Sequence, residues 1–472
     1  MNYFPKYFLN KSVLLYFLAL MAVTFMYFSH AMDAVWFFFG IAEVVGFFYF
    51  SNSLTKKWAE ISPKRFIIKV FYTALGIRIV WVVFSYFFYQ SMTGQPFEFG
   101  AADALFYDGI ARYGSDLIAD GNLFITDELS RYAGRLAFSD FGYPVYLSFI
   151  YALTGKSILI ARLIKAVWAA WTCVLVYKYA TRNFGEPAGR IAAVFCVLMP
   201  NLIYYCGLHL KETEMVFLTV AAVERTDFLL RSNKYVFKSL YMPILLVMLL
   251  FLFRTVLGAA VLFAFISALI FSTSRLLKFS NRVIITAWVI IALSFFMGGK
   301  ISDEVQDVWN RRKTNQKETL EWRADREGGN IFSRYASSTV FASAIFIIPI
   351  PTMVSIEWQQ NQQLLHGGNF VKEIMAFFLL FAFLMILNDG KWRDFTMPGV
   401  FTLSYLMVIA FSAFAQSERF HLPIIPFYLM FAAYGVTRVT KSTKTYFIWY
   451  MLVLFAVIMA WNWFKLAGRG MA

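Results

Sequence analysis

Long apolar runs recur along the whole chain, and short clusters of charged residues separate them. Runs of about 18 or more apolar residues are typical of helices that cross a lipid bilayer. The runs are too long and too uniformly apolar for the strands of a membrane barrel. The sequence therefore predicts an all-α, polytopic helical membrane protein that forms one membrane domain over residues 1–472. About thirteen transmembrane helices are predicted, at 12–29, 34–50, 67–90, 158–178, 190–206, 213–230, 240–253, 256–273, 283–298, 371–388, 396–416, 421–437 and 446–464.

Two further apolar segments, 141–155 and 337–356, are short for a span or interrupted by proline. Both are predicted to enter the membrane only partially. A full crossing by 337–356 would put Lys391 and Arg393 on the outer side, against the rule that cationic loops stay inside.

The charged residues between the runs predict how the helices are oriented. Lysine and arginine crowd the loop at 56–69, so this loop is predicted to be cytoplasmic. The following run then leads to an outer loop, 91–140, which carries eight carboxylates and three arginines. A second outer loop is predicted at 300–335, with mixed charge. We expect amphipathic helices in loop 91–140 and treat it as the candidate catalytic loop.

Composition supports the membrane assignment, because 60% of the residues are apolar and 15% are charged. Soluble domains carry about 25% charged residues. The net charge of +15 suggests a nucleic-acid partner at first sight. The basic residues lie in short loops between apolar runs, however, so they indicate orientation and no nucleic-acid partner is predicted.

The start of loop 91–140 contains the first candidate for chemistry, Asp103. On a helix over 103–120, one stripe is apolar and suits the membrane interface; its members are Phe106, Ile110, Tyr113 and Leu117. A separate ladder of spacing four is typical of a solvated face; its members are Asp108, Arg112, Asp116 and Asp120. Asp103 falls at the edge of the apolar stripe, where partial desolvation would make it a better base. The alternative is that Asp103 caps the N-terminus of the helix.

Two further groups of polar residues occur at the outer ends of spans. Lys211 and Glu212 are either a paired interface charge or a phosphate contact through the lysine. Arg419 and His421 suit phosphate binding, and the alternative is a simple pair between Glu418 and Arg419. The histidines lack metal-ligand spacing, and the sequence contains no P-loop, GxGxxG or GxSxG motif.

The order and spacing of these motifs resemble the GT-C superfamily of integral-membrane glycosyltransferases. This class includes protein O-mannosyltransferases and the aminoarabinose transferases of lipid A. The resemblance covers residues 65–215 and, in part, 400–437. The matching motifs are Asp103 with Tyr107 and Ala111, Gly142-Tyr143-Pro144 through Gly155, Ala161-Arg162-Leu163 through Gly185, Pro200-Asn201 to Lys211-Glu212, and Glu418-Arg419-Phe420 with Pro423 and Pro426.

This resemblance implies a polyprenyl-phosphate-linked sugar donor, no required cofactor, and an acceptor hydroxyl on a glycan, lipid or protein. It implies an inverting transfer with Asp103 as base. Many members carry two adjacent acids where this chain has Asp103-Ala104, so the second acid is either Asp108 or absent, and a divalent metal is an option and not a requirement. Donor-phosphate binding falls on Lys211, Arg419 and His421. Contacts to the acceptor or within the loop fall on Tyr107, Glu212 and Glu418. The expected location is the bacterial inner membrane, with the active site on the periplasmic face.

Two other classes share the polytopic plan. A polysaccharide polymerase or ligase would use a lipid-linked glycan and place working arginines in a late outer loop, here Arg311 and Arg312. A lipid flippase or transporter would need charged residues along a path through the membrane, and the predicted helix interiors are nearly free of charge.

Overall fold

The computed structural model describes residues 2–134, 140–231, 236–271, 306, 310, 316–326, 329–357, 359–412 and 414–471. Within these ranges every regular element is helical and none is a strand, so the predicted all-α class is confirmed for them. The predicted span at 283–298 and the arginines Arg311 and Arg312 lie outside the described residues.

Twenty α-helices follow one another in the described ranges. They are α1 Lys6–Met26, α2 Ala34–Lys57, α3 Pro63–Thr93, α4 Ala102–Ala119, α5 Thr126–Tyr132, α6 Gly142–Thr154, α7 Ile158–Phe184, α8 Glu186–Leu198, α9 Pro200–Cys206, α10 Glu212–Arg231, α11 Val236–Phe253, α12 Thr255–Phe271, α13 316–325, α14 Ser338–Ala344, α15 Gln360–Leu364, α16 His366–Asn388, α17 Thr396–Phe411, α18 Glu418–His421, α19 Ile425–Thr437 and α20 Lys441–Ala467.

Eight helical segments of the described chain are long and apolar enough to cross a membrane. They are α1, α2, α3, α7, α16, α17 with the turn before it, α18–α19 taken together, and α20. Helices α11 and α12 are apolar but shorter, and α10 has the length of a span but carries several charges. These segments indicate a protein embedded in a membrane, and the count of thirteen spans stays a prediction.

The predicted span at 190–206 is two helices, α8 and α9, that meet at an angle of 47°. Proline cannot donate the backbone hydrogen bond that a continuous helix needs, and it disfavours helical geometry in the residue before it. Met199 is accordingly extended, and Pro200 begins the new helix. The bend leads the chain from α9 directly towards Lys211 and Glu212.

Burial separates the central helices from the outer ones. The α18–α19 segment is 89% buried, whereas α20 is 22% buried. Helix α8 is buried along nearly its whole length and packs against α7 and α19. Large apolar side chains on the outer helices, such as Phe38, Tyr72 and Trp449, are exposed. Such exposure is expected where helices face lipid.

Ion pairs fasten one end of this bundle. The Arg182 guanidinium on α7 pairs with Asp227 on α10 at 3.0 Å and also with Glu224. Arg190 on α8 donates to the backbone oxygens of Trp58 and Ile61, between α2 and α3, at 2.6 Å each. The opposite end of α7 and α10 carries the candidate functional site. The ion pairs of Arg182 therefore hold these two helices together at the end far from that site.

The two predicted partial insertions contain no helix of spanning length. Residues 338–344 form the short helix α14, and an irregular segment follows it. In that segment the Ser355 backbone N–H donates to the His30 oxygen at 2.8 Å, beyond the end of α1. The other segment forms α6, which packs along α4. Whether either segment enters the membrane stays a prediction.

The predicted surface of α4 is wrong in two respects. Ile110 is buried, and with Tyr113 and Leu117 it packs against α5 and the start of α6 rather than lying at a membrane interface. Asp108 is buried too, so it does not belong to a solvated ladder. Apolar side chains from α5 and α6 cover this face of α4, and the periodicity of α4 alone cannot show that.

A glycine tests the packing of α19 against α16. A Cβ added at Gly435 would lie 2.2 Å from the backbone oxygen of Phe378, whereas nothing lies within 4 Å of one added at Gly399 on α17. We expect Gly435→Ala to destabilise the protein by about 1–3 kcal/mol, because the backbone cannot yield as a side chain would. Thermal unfolding in detergent measures this. Gly399→Ala is the matched control and should be neutral or slightly stabilising, and equal melting temperatures would contradict the close approach.

Candidate functional site at one end of the bundle

Three segments predicted on the outer side meet at one end of the bundle. They are the first turn of α4, the start of α10 and the short helix α18. Gly100 adopts a positive φ of 64°, which turns the chain into α4. Asp103 lies in the first turn of α4, and Ala101 is the N-cap residue. The capping alternative for Asp103 is therefore not what the structure shows.

Arg419 joins two of the predicted carboxylates. Its Nη1 donates to Asp103 Oδ2, and its Nε donates to Glu212 Oε1. The two carboxylates differ in exposure, because the Asp103 side chain is 55% exposed and the Glu212 side chain is fully buried. The expected desolvation of Asp103 is therefore wrong. Asp103 is an accessible carboxylate held by one oxygen.

The charge of Glu212 depends on Arg419. Burial alone would raise the pKa of Glu212, but the charge and the hydrogen bond of Arg419 outweigh burial and lower that pKa below the ordinary value. Glu212 is therefore an anion at neutral pH and fixes the guanidinium in place. Its second oxygen, Oε2, is buried and has no hydrogen-bond partner among the described residues.

A second pair, Lys211 with Asp140, lies next to Tyr107. The Lys211 ammonium donates to Asp140 Oδ1, and it lies 5.8 Å from the centre of the Tyr107 ring. The Tyr107 hydroxyl lies 3.5 Å from the same Asp140 oxygen. Burial and the nearby carboxylates, Asp140 foremost, raise the pKa of Tyr107, so its hydroxyl stays protonated. Asp103 and Arg419 also act on Tyr107, so the two pairs form one site.

Arg254 is a third cation that the sequence interpretation did not select. It lies in the single-residue break between α11 and α12, and its guanidinium is 4.3 Å from the centre of the Phe420 ring. Its charge acts on both Lys211 and Glu212. Its Nη1 is buried and has no hydrogen-bond partner among the described residues. A lone arginine between two apolar runs was the sequence signal. We call the set Asp103, Asp140, Lys211, Glu212, Arg254 and Arg419 the Arg419 cluster.

Asp108 belongs to a different network on α4. Its Oδ2 accepts from Arg112 Nε at 2.7 Å, and its Oδ1 accepts from the Tyr151 hydroxyl at 2.5 Å. The Tyr151 oxygen lies 3.1 Å from His209 Nε2. Burial lowers the pKa of His209 well below its usual range, so the ring is neutral. The structure therefore does not pair Asp108 with Asp103, and Asp108 fastens α4 to α6 and to the chain before α10.

Glu418 and His421 lie on α18 but outside the Arg419 cluster. The His421 ring is buried, and its Nε2 lies 2.8 Å from the Ala415 oxygen. Lys372 is the charged group that acts on this ring. Glu418 is buried, and its charged neighbours are Lys465 and Lys372. Of the predicted phosphate ligands, the structure brings together Lys211 and Arg419, and it places His421 apart from them.

A metal site fits this arrangement poorly. No group of three histidine, cysteine or carboxylate side chains that could hold a metal ion occurs in the described ranges. Asp103 and Glu212 share a guanidinium, which occupies the position that a metal between them would need. We therefore assign no chemical step to a metal.

The cluster combines an accessible carboxylate with three cations, at one end of an apolar helical bundle. Such a set can accept a proton at the carboxylate and stabilise an anionic group at the cations. The fold and the apolar helices define the class as a helical membrane protein. No protein-family model, curated protein or solved structure matches the chain.

The Arg419–Glu212 pair provides a stability test. Arg419→Gln leaves the buried Glu212 carboxylate without its partner, and we expect a loss of about 3–5 kcal/mol near neutral pH. Because the pKa of Glu212 is lowered in the folded protein, the pair stabilises fully above the ordinary glutamate pKa of about 4.3. That contribution is lost as the pH falls through the lowered value, so the difference between variant and wild type should shrink in acid.

Thermal unfolding from pH 7 down to pH 2.5, which extends below the ordinary glutamate pKa, measures this effect. The double variant Arg419→Gln/Glu212→Gln should recover part of the loss. Lys156→Gln, which removes the exposed pair with Asp116, is the control and should cost under about 1 kcal/mol. A pH-independent loss in Arg419→Gln would argue against a charged Glu212.

Proposed function

We propose that the protein is a glycosyltransferase of the bacterial inner membrane. It moves a sugar from a polyprenyl-phosphate-linked donor to an acceptor hydroxyl, on a glycan, a lipid or a protein, at the periplasmic face. The observation that carries this proposal is the exposed Asp103 carboxylate bound to Arg419, whose other partner, Glu212, is also within the influence of Lys211 and Arg254. The resemblance of the motif order to the GT-C superfamily supports the same reaction and a GT-C-like fold.

Asp103 is the proposed general base. Arg419 engages its Oδ2, so Oδ1 stays available to an incoming hydroxyl. As the acceptor oxygen attacks the anomeric carbon, its proton passes to Asp103 and the bond from the anomeric carbon to the phosphate oxygen breaks. The attack comes from the face opposite the phosphate, so the configuration at the sugar inverts.

The cations of the cluster are the proposed phosphate site. A phosphodiester donor carries one negative charge, and the departing polyprenyl phosphate carries up to two. Cations that contact this group therefore stabilise the transition state more than the ground state. Arg254 suits the role because its Nη1 has no protein partner among the described residues. Arginine also binds phosphate oxygens in a fixed fork geometry.

Tyr107 is the proposed contact to the acceptor, and its hydroxyl can donate a hydrogen bond to an acceptor oxygen. The Glu212 carboxylate is fully buried and bound to Arg419, so its proposed role is to position that guanidinium. The predicted orientation also supports a periplasmic site, since the opposite ends of these helices carry the cationic loops. The donor's prenyl chain would reach the cluster from the bilayer.

Asp103→Asn tests the base. We expect transfer to fall by about 10²-fold or more, because an amide cannot take the acceptor proton. Melting temperature should change little, because this side chain is more than half exposed. The measurement is release of polyprenyl phosphate and transfer of labelled sugar from a panel of synthetic polyprenyl-phosphate sugars, in membranes that contain the full chain.

Asp116→Asn is the matched control, since Asp116 is an exposed carboxylate on the same helix and pairs with Lys156. It should retain wild-type transfer. Full transfer by Asp103→Asn would remove the base assignment. If Arg311→Ala/Arg312→Ala were inactive while Asp103→Asn stayed active, a polysaccharide polymerase or ligase would be favoured instead.

Arg254→Gln tests the phosphate site. Here we expect the donor KM to rise and kcat to fall, with a combined loss in kcat/KM of about 10–10²-fold for one charged hydrogen bond. The acceptor KM should stay near wild type. Steady-state kinetics with each substrate varied in turn separate these effects. Arg393→Gln, at the other end of the bundle, is the control, and an unchanged donor KM in Arg254→Gln would exclude Arg254 from the site.

A further inference from the structure

A second group of cations lies at the same end of the bundle, around the end of α20. The chain at 329–332 folds over this helix end: the Ile331 backbone N–H donates to the Gly468 oxygen at 3.2 Å. The Asn330 side-chain amide donates to the Phe464 oxygen at 3.1 Å. These contacts bring the end of α13 next to the end of α20. We call the resulting set the Lys465 cluster; its members are Arg323, Arg326, Lys465 and Arg469.

Neutral groups hold these cations in place. The Lys465 ammonium lies 3.2 Å from Gln359 Oε1 and 3.3 Å from Gln362 Oε1. Arg469 donates to the Lys465 backbone oxygen at 2.6 Å. Two of the cations also lie over indole rings, Lys465 over Trp461 at 4.9 Å and Arg326 over Trp322 at 4.8 Å.

Carboxylates do not balance this charge. No ion pair joins any member of the Lys465 cluster to a carboxylate within the described residues. The acids on the same stretch are engaged elsewhere, because Asp325 pairs with Arg334 and Glu321 pairs with Lys317. Burial and the neighbouring charge of Arg326 lower the pKa of both Arg323 and Arg469. Glu418 is the acid that acts on Lys465.

Helix dipoles explain part of this arrangement. Cations near the C-terminal end of a helix are stabilised, and Arg469 and Lys465 lie at the end of α20. The dipole does not require four cations close enough to act on one another. The predicted orientation places this end of the bundle on the outer side, where lysine and arginine are under-represented. An anion that binds among the four cations would account for their closeness to one another and for their position on the predicted outer side.

We infer that the Lys465 cluster binds a phosphate group, carried by a lipid headgroup or by a soluble ligand. The converging arginines and the lysine suit phosphate oxygens, and the neutral Gln359 and Gln362 amides can donate alongside them. The site is separate from the proposed donor site, because Glu418 faces this cluster while its neighbour Arg419 pairs with Asp103 and Glu212. The inference therefore stands without the transfer reaction.

The test measures binding to the purified full-length protein. One arm uses native mass spectrometry with short-chain phosphatidic acid, and phosphatidylcholine serves as the reference lipid. The other arm uses titration calorimetry with inorganic phosphate. We expect Arg323→Gln/Arg326→Gln to weaken at least one of the two probes tenfold or more. Loss of phosphatidic acid alone identifies a lipid headgroup, and loss of inorganic phosphate as well identifies a site open to soluble ligands.

Lys317→Gln/Arg334→Gln is the matched control. It also removes two positive charges from this stretch, but both residues are already paired with carboxylates. Arg326→Gln alone is a second variant for the case in which the double variant does not fold. Arg326 is exposed, so this substitution should fold normally and still weaken binding. Arg254 belongs to the Arg419 cluster, itself a proposed phosphate site, so the loss caused by Arg323→Gln/Arg326→Gln should be equally large in an Arg254→Gln background, which separates the two sites. Wild-type binding of both probes by the Arg323/Arg326 variants, or an equal loss in the control, would overturn the inference.

Discussion

The guanidinium of Arg419 ties together segments that are far apart in the chain. It bonds to Asp103 at the start of α4 and to Glu212 at the start of α10, from its own position on α18. A buried carboxylate without a partner costs several kcal/mol, and Glu212 is fully buried. The folded state therefore keeps Arg419 against Glu212. The position of Asp103 follows from that requirement, since the second arm of the same guanidinium holds it.

Contacts at the far end and in the middle of the bundle hold the helices that carry the Arg419 contacts. Helices α7 and α10 are joined at the far end by Arg182, Glu224 and Asp227. Between the two ends, nearly every residue of α8 and α19 is buried. Rigid helices of this kind hold side chains at fixed separations, which a polar site needs if its charges are to act without reorganisation. The bend at Pro200 contributes as well, because α9 leads from it to Lys211 and Glu212 at the end of the bundle where the Arg419 cluster lies.

Sequence reasoning reached the helices and the ends of helices, but not the partners within the site. Hydropathy and charge put Asp103, Glu212 and Arg419 on one side of the membrane, although 316 residues separate the first from the last. Hydropathy and charge could not show that Arg419 binds both acids, because that depends on how α18 packs against α4 and α10. Arg254 was missed since an isolated cation between two apolar runs is also what a short loop contains. Asp108 was misjudged because its surroundings come from α6, not from α4.

The unequal burial of the two acids determines how an anion can enter the Arg419 cluster. Its three cations and three carboxylates balance, so under the proposed function an incoming phosphate must compete for a cation or use Arg254 Nη1, which has no hydrogen-bond partner among the described residues. Glu212 cannot leave Arg419, because water does not reach it to replace the lost bond. Asp103 can leave Arg419, because its side chain is more than half exposed and water would hydrate the carboxylate at once. Under the proposed function, a phosphate that reaches Arg419 therefore displaces Asp103 and frees both of its oxygens. In that proposal Asp103 Oδ1 can accept a proton while Arg419 holds Oδ2, and a phosphate bound to Arg419 would release Oδ2 as well.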